Sequence, residues 1–481
     1  MNSRGLDPVD REAFSREAHD WLDELLSYYW SLDQRPVWQP IPDTVRSVFR
    51  QDSPRQGVAL EVLKETFFAR ILPYGVGNLH PGFLGWVHGG GTLVGMLAEM
   101  LAAGMNANLG GRDQIPVQVE QQIVQWAREW FGFPQTATGV FATGTSQATL
   151  MALWVARVAR WGEGLREQGW QGQRARVYAA QGVHGSLAKA LDLAGMGRQN
   201  LVLIAVDDRF RLDQKALARA LQADRDGGYE PLMVVGTAGT VDTGAVDDLE
   251  GLAGFCAAQG LWFHVDGALG ALACWSPELA PLIRGIEQAD SIAFDFHKWG
   301  QVPYDAGFLL VRHGDAQRRT FSTSADYLAR ASRGTAAGSD WPCDFGPDLS
   351  RGFRALKTWM TLMAYGTQSL GAAIEQTCRL ARWLGERVQE HPELVLMAPV
   401  TLNIVCFRYQ FAADGDVLNE RIAVALQESG LAVLSTTKIR GQLVLRAALV
   451  NHRTVQDDLR IMLDGVLCLG RRWSINGEIA P

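Results

Sequence analysis

The chain has 481 residues, 45 Lys and Arg against 52 Asp and Glu, and a net charge of −7. That length predicts two or three packed units. With 47% hydrophobic and 20% charged residues and no run of Lys or Arg, the composition is that of a globular protein and excludes an electrostatic nucleic-acid footprint.

Residues 1–74 read as helical: Phe14 to Tyr29 and Val58 to Ile71 carry apolar residues at helical spacing, separated by Pro36, Pro40 and Pro42. These helices are amphipathic without a core of their own, so this segment is expected to pack elsewhere or on a partner subunit. From 75 to 370 short apolar runs alternate with helical stretches. The strands expected are Gly139–Phe141, Val177–Ala179, Leu201–Ala205, Leu232–Val235, Leu261–Val265, Ile292–Phe294 and Phe308–Val311. The helices expected between and after them include Val117–Phe131, Gln147–Arg160, Asp213–Gln222, Leu249–Gln259 and Arg351–Ala364. Such alternation implies a mostly parallel, seven-stranded sheet covered on both faces, with ligands beyond the carboxyl ends of the strands.

The stretch 322–350 lacks periodicity and is expected to be a lid. Residues 371–481 read as a smaller α+β domain: a helix Ser369–His391, alternating segments Leu402–Tyr409, Leu431–Ser435 and Gln442–Ala448, and a closing helix Thr454–Leu469. The six cysteines are scattered, with no Cys-x-x-Cys pair. A reduced, cytoplasmic setting, no disulfide framework and no metal site are expected. A polar N-terminus and the lack of an uncharged stretch of spanning length predict a soluble chain with no membrane partner.

Two segments carry most of the chemistry. Lys298, in Asp295-Phe296-His297-Lys298-Trp299, leaves an apolar run, and Asp266 ends the buried strand Leu261–Val265. A desolvated lysine loses its proton readily and traps carbonyls, while a buried aspartate can hold a protonated pyridine nitrogen. Together they form the pair that pyridoxal 5'-phosphate (PLP) chemistry requires. Thr143-Gly144-Thr145-Ser146 follows a strand and opens a helix, which suits phosphate, although any helix may carry such an N-cap. His184 follows the strand at 177–179 and could stack on a flat ring or be structural. His88-Gly89-Gly90-Gly91 resembles a hydrolase oxyanion turn, but the chain has no Gly-x-Ser-x-Gly elbow; close backbone packing is the better account. The acidic cluster Asp242, Asp247 and Asp248 matches no metal loop and reads as a turn with a helix cap.

These residues together resemble the group II PLP-dependent amino-acid decarboxylases, the family of aromatic L-amino acid, glutamate and histidine decarboxylases. The resemblance runs through His80-Pro81-x-Phe83, Met96 to Met100, Thr145 to Ala148, Val183 to Ser186, Gly236-Thr237, His264 to Ala268, His297 to Trp299, Arg351 to Lys357 and Leu445-Arg446. It implies the PLP-dependent transferase-like fold type I, an obligate homodimer with intertwined N-terminal helices, and a contribution of segment 105–112 to the partner's site. It implies that Lys298 carries the cofactor as a Schiff base, and that Thr145, Ser146, Ser291 and His297 help hold its phosphate. Asp266 would pair with the ring nitrogen, His184 and Ala268 would sandwich the ring, and Thr237 would lie beside it. His80 and Arg446 would belong to the substrate pocket.

The implied activity is decarboxylation of an L-amino acid, aromatic favoured, to the amine and CO2. The family keeps a tyrosine in a mobile loop as proton donor, whereas the equivalent stretch here, Asp340 to Phe345, has none, and Tyr327 lies upstream. Water or His184 would then supply the proton. Oxidative decarboxylation-deamination to an aldehyde is the alternative, aminotransfer comes third, and a non-catalytic PLP-binding homologue is a different class of answer. Two further departures are Gly236-Thr237-Ala238 in place of Gly-Thr-Thr, and Asp295 where an asparagine is common.

Overall fold

The computed structural model describes residues 6–323, 329–338 and 340–476. A short strand β1 (Phe83–Leu84) precedes seven strands of one large sheet. These are β2 (Thr138–Ala142), β3 (Ala175–Ala180), β4 (Leu201–Ile204), β5 (Glu230–Thr237), β6 (Trp262–Asp266), β7 (Ser291–Asp295) and β8 (Gly307–Val311). Their order is β2-β8-β7-β6-β5-β3-β4. Strands β4, β3, β5, β6 and β7 pair in parallel, and β8 runs antiparallel to both neighbours. All seven expected strands are present, and the sheet is mostly parallel. The inner strands are buried on both faces, which is why they read as continuous apolar runs rather than alternating ones.

Helices cover the sheet where the sequence leaves small or apolar residues at helical spacing. Ala148, Ala152 and Ala156 of the helix Thr145–Trp161 are buried, letting it lie close to the strands. The helix Leu249–Gln259 starts where Asp248 accepts the amide of Gly251 and stops at Gly260, whose φ of 67° suits a residue without Cβ. Asp248 is therefore the helix cap expected. Asp247 is buried and accepts the amides of Leu212 and Thr237, and Asp242 accepts the hydroxyl of Thr437. Among the described residues no acidic, Cys or His group forms a metal cluster.

The second sheet is built from β9 (Leu394–Leu396), β10 (Ile404–Tyr409), β11 (Val433–Ile439) and β12 (Gln442–Ala448), with β1 added at its edge in the order β1-β11-β12-β10-β9. Phe83 thus pairs with Val433, so residues just past 74 join the C-terminal sheet rather than the large one. The expected helices at 351–364 and 369–391 are both present within Arg354–Glu390, separated by a kink at Gly366, where φ is 68°. The expected boundary at 370 lies just inside the second of them, whose residues pack on both cores.

The first helix, Arg11–Trp30, is capped by Asp10 and has no buried residue. Part of the expected lid is well packed instead. Pro342–Asp344 form a short 3-10 turn, Trp341 is buried and would collide with any Cβ at Gly111, and the Cys343 amide donates to Gly110. Tyr327 lies outside the described residues. No described helix is long and apolar enough to cross a membrane.

Candidate active site

At one edge of the large sheet the strand ends open onto a cavity of about 370 Å³. The strand order decides what meets there. The helix starting at Thr145 follows β2, Lys298 follows β7, Asp266 ends β6, Thr237 ends β5 and His184 follows β3. Parallel pairing sets Asp266 against Thr237 on one side and Ala293 on the other. All five side chains line the cavity, as the rule for open α/β sheets requires.

Asp266 is buried and accepts the amide of Ala268 at 3.1 Å. Burial pushes its carboxyl above the ordinary value, while the Ala268 amide, Lys298 and His184 oppose that rise. A cationic partner would favour its ionised form, because an ionised carboxylate left alone in the interior is costly. Lys298 sits in the tight turn after β7, its amide directed at the Asp295 carbonyl and its Nζ 2.9 Å from Asp295 Oδ2. The HGGG segment closes over this turn. A Cβ at Gly89 would stand 2.2 Å from the His297 carbonyl oxygen, so only glycine fits. The close-packing account of those glycines therefore holds.

His297 accepts the Ala306 amide on Nδ1 at 2.9 Å, which leaves its proton on Nε2 when neutral. Burial lowers its pKa, against the pull of Asp295. His184 accepts the Ser186 amide on Nδ1 and lies 2.8 Å from the Ser186 hydroxyl. The hydroxyls of Thr145 and Thr237 are buried without a partner in the protein. Ser146 and Ala268 complete this half.

The other half comes from distant segments. Trp86, Val87 and His88 form one wall, and the rings of Phe83, Trp86 and His88 cluster with centroids 5.7 to 6.2 Å apart. Tyr304 adds its ring 4.3 Å from that of His297, and burial raises its pKa so that the phenol keeps its proton. The Arg351-to-Lys357 motif supports this wall from behind. Arg354 pairs with Asp305 at 2.7 Å, Lys357 donates to the Tyr304 carbonyl at 3.0 Å, and Arg351 forms a two-armed buried pair with Glu120. Arg446, on β12, is 3% exposed. It donates from Nη1 to Ser435, while its Nε and Nη2 are buried without a partner. Ser435 also accepts the Trp86 amide at 3.3 Å, tying wall and arginine together.

Two expected residues stand elsewhere. Ser291 begins β7, whereas the site lies at its end, some 13 Å away at strand rise. Its hydroxyl instead meets Trp262 and His264. His80 does not line the cavity; its Nδ1 accepts the Gly82 amide and shapes the turn before β1. Trp86, Val87, His88 and Tyr304 were not anticipated. The glycine run beside His88 was the available signal for three of them; Tyr304 sits in an unremarked stretch six residues after Lys298.

The donors fit a phosphorylated pyridine aldehyde. A carboxylate that needs a cation stands near one end, and a helix start with an unpartnered hydroxyl stands toward the other. An amine lies between them along the strand order.

Comparison with known proteins bears on the same point. The pyridoxal-dependent decarboxylase conserved domain matches residues 42–410. An aromatic-L-amino-acid decarboxylase of Bacillus atrophaeus is 30% identical, covering 97% of this chain and 98% of that protein. A phenylacetaldehyde synthase of Arabidopsis thaliana is 28% identical, covering 92% and 93%. The crystal structure of Oryza sativa TDC with PLP and tryptamine superposes with a TM-score of 0.88 at 26% identity, covering 98% of this chain and 100% of that one.

Proposed function

The chain belongs to the pyridoxal-dependent decarboxylase family, and from that premise we propose that it converts an aromatic L-amino acid to its amine and CO2. It is a PLP-dependent enzyme of the amino-acid decarboxylase type. The observation that carries the residue assignments is the placement of Asp266 and Lys298 at adjacent strand ends, beside the start of the helix Thr145–Trp161.

PLP, when bound, supplies a conjugated electron sink for the pair of electrons left when the bond to the substrate carboxylate breaks. Lys298 would hold the cofactor covalently, and Asp266 would keep a proton on its ring nitrogen. Thr145, Ser146 and the Nε2–H of His297 would hold the phosphate end, while His184 and Ala268 would flank the ring and Thr237 would donate beside it. Arg446 orients the substrate carboxylate with the two nitrogens that lack a protein partner. Trp86 and Tyr304 form the apolar and aromatic wall against the side chain, which supports an aromatic substrate.

A homodimer is supported by the apolar residues that the chain leaves exposed. Leu97, Met100, Leu101 and Met105 lie on the helix Leu93–Met105, with Ile115 close behind in sequence and Phe14 and Trp30 on the first helix. In that assembly segment 105–112 would reach the partner's cavity, and the compartment would be the cytoplasm.

A second reading has its own support. The family's loop tyrosine has no counterpart in Asp340–Phe345. Aldehyde formation with consumption of O2 is therefore the competing outcome. Incubating PLP-loaded protein with pooled L-amino acids and following CO2, amine, aldehyde and H2O2 decides between them. Amine with stoichiometric CO2 and no peroxide is expected; aldehyde with peroxide would overturn simple decarboxylation.

A further inference from the structure

Asp295 has no part in the chemistry just proposed, yet it stands in the middle of the phosphate end. It closes β7 and is 3% exposed. Its Oδ1 accepts the amide of Thr145, the first residue of the helix Thr145–Trp161, at 2.8 Å. Its Oδ2 lies 2.9 Å from Lys298 Nζ and 3.7 Å from His297 Nε2. The Thr145 hydroxyl, on the same residue, is buried and unpartnered. The helix start that is to hold a phosphate thus already carries a carboxylate on its first amide, and two anions close together in a buried site cannot both stay ionised cheaply.

We propose that Asp295 is a built-in competitor of the cofactor's phosphate, so that binding the phosphorylated cofactor takes up a proton at the Asp295–Lys298–His297 cluster and phosphate affinity weakens as pH rises. The inference rests on the PLP assignment. The groups facing Asp295 are Lys298 and His297 on its own segment, the Thr145 amide, Asp266 on β6 and Tyr304 beyond β7. Asp305 and Lys357 act on His297 in turn. Burial opposes ionisation of the Asp295 carboxyl, but Lys298, His297 and the Thr145 amide outweigh it and hold the group below its ordinary value. A phosphate on the same helix start adds like charge and reverses that balance. The carboxyl then binds a proton more readily, and higher pH disfavours the complex.

The test compares full-length wild type and Asp295→Asn, each freed of cofactor. PLP and pyridoxal, which lacks the phosphate, are titrated by tryptophan fluorescence from pH 6 to 9. The ratio of the two dissociation constants isolates the phosphate, because Lys298 and the ring are common to both ligands. The phosphate's own ionisation is common to both proteins. The ratio should favour PLP at least ~10-fold more in the variant than in wild type at the alkaline end, and the gap should shrink as pH falls. Equal ratios at every pH, or a weaker preference in the variant, would overturn the proposal and leave the cofactor assignment standing. Failure of wild type to bind PLP at all would remove both. If circular dichroism shows Asp295→Asn to be misfolded, Asp295→Ser is measured in its place.

Discussion

The two halves of the cavity are built in opposite ways. The cofactor half comes from strand ends of one mostly parallel sheet, where register alone sets Asp266 against Thr237 and places Lys298 one strand away. The substrate half gathers Trp86 and His88 from before the sheet, Tyr304 from after β7, and Arg446 from the second sheet, joined through Ser435. One half is a property of the fold; the other depends on two cores meeting correctly. Chemistry and selectivity should therefore respond separately to mutation.

The deepest expected break is at Lys298. Lys298→Ala should remove visible cofactor absorbance and cut decarboxylation by roughly 10⁴-fold or more. A variant that still bound PLP covalently and turned over normally would end the assignment. Next comes Arg446→Met, expected to lower kcat/KM about 10²-fold while leaving the cofactor spectrum intact. A loss of cofactor affinity instead would show that the halves are not separable. Trp86→Ala should act more gently, shifting the kcat/KM ratio between aromatic and small apolar amino acids by about 10-fold. An unchanged ratio would mean that this wall does not read the side chain.

The last comparison leaves the cavity for the core under it. Burial pushes the pKa of His264 down to about 4. Between about 6.5, the ordinary histidine value, and 4 the unfolded chain takes up a proton that the native state refuses, so stability falls as pH drops through that window. Thermal melts of His264→Gln at pH 7 and 4.5 should show a smaller difference than wild type. An equal difference would mean that other groups govern acid lability.

Local pattern was enough to find the sheet and Lys298, Asp266, Thr145 and His184, because each sits within a few residues of a strand that announces itself by an apolar run. The resemblance put Ser291 at the phosphate; it is seven residues from Lys298 in sequence, but a strand carries its two ends to opposite edges of the sheet. The resemblance also put His80 in the substrate pocket, but the chain turns sharply through Gly82 and β1, so that Trp86 and His88, rather than His80, line this cavity. Tyr304 carried no signal, since its place depends on Arg354 and Lys357 anchoring Asp305 and its own carbonyl from a distant helix. The boundary at 370 falls just past the break at Gly366, and the helix that follows this break already packs on both cores.

The two-residue strand β1 has a consequence for synthesis. Phe83 and Leu84 leave the ribosome long before Val433 and Leu434, the residues they pair with. The second sheet is complete only when the last part of the chain joins a segment made near the beginning. Closing so distant a contact is slow, and until it forms the edge of β11 stays open to other chains.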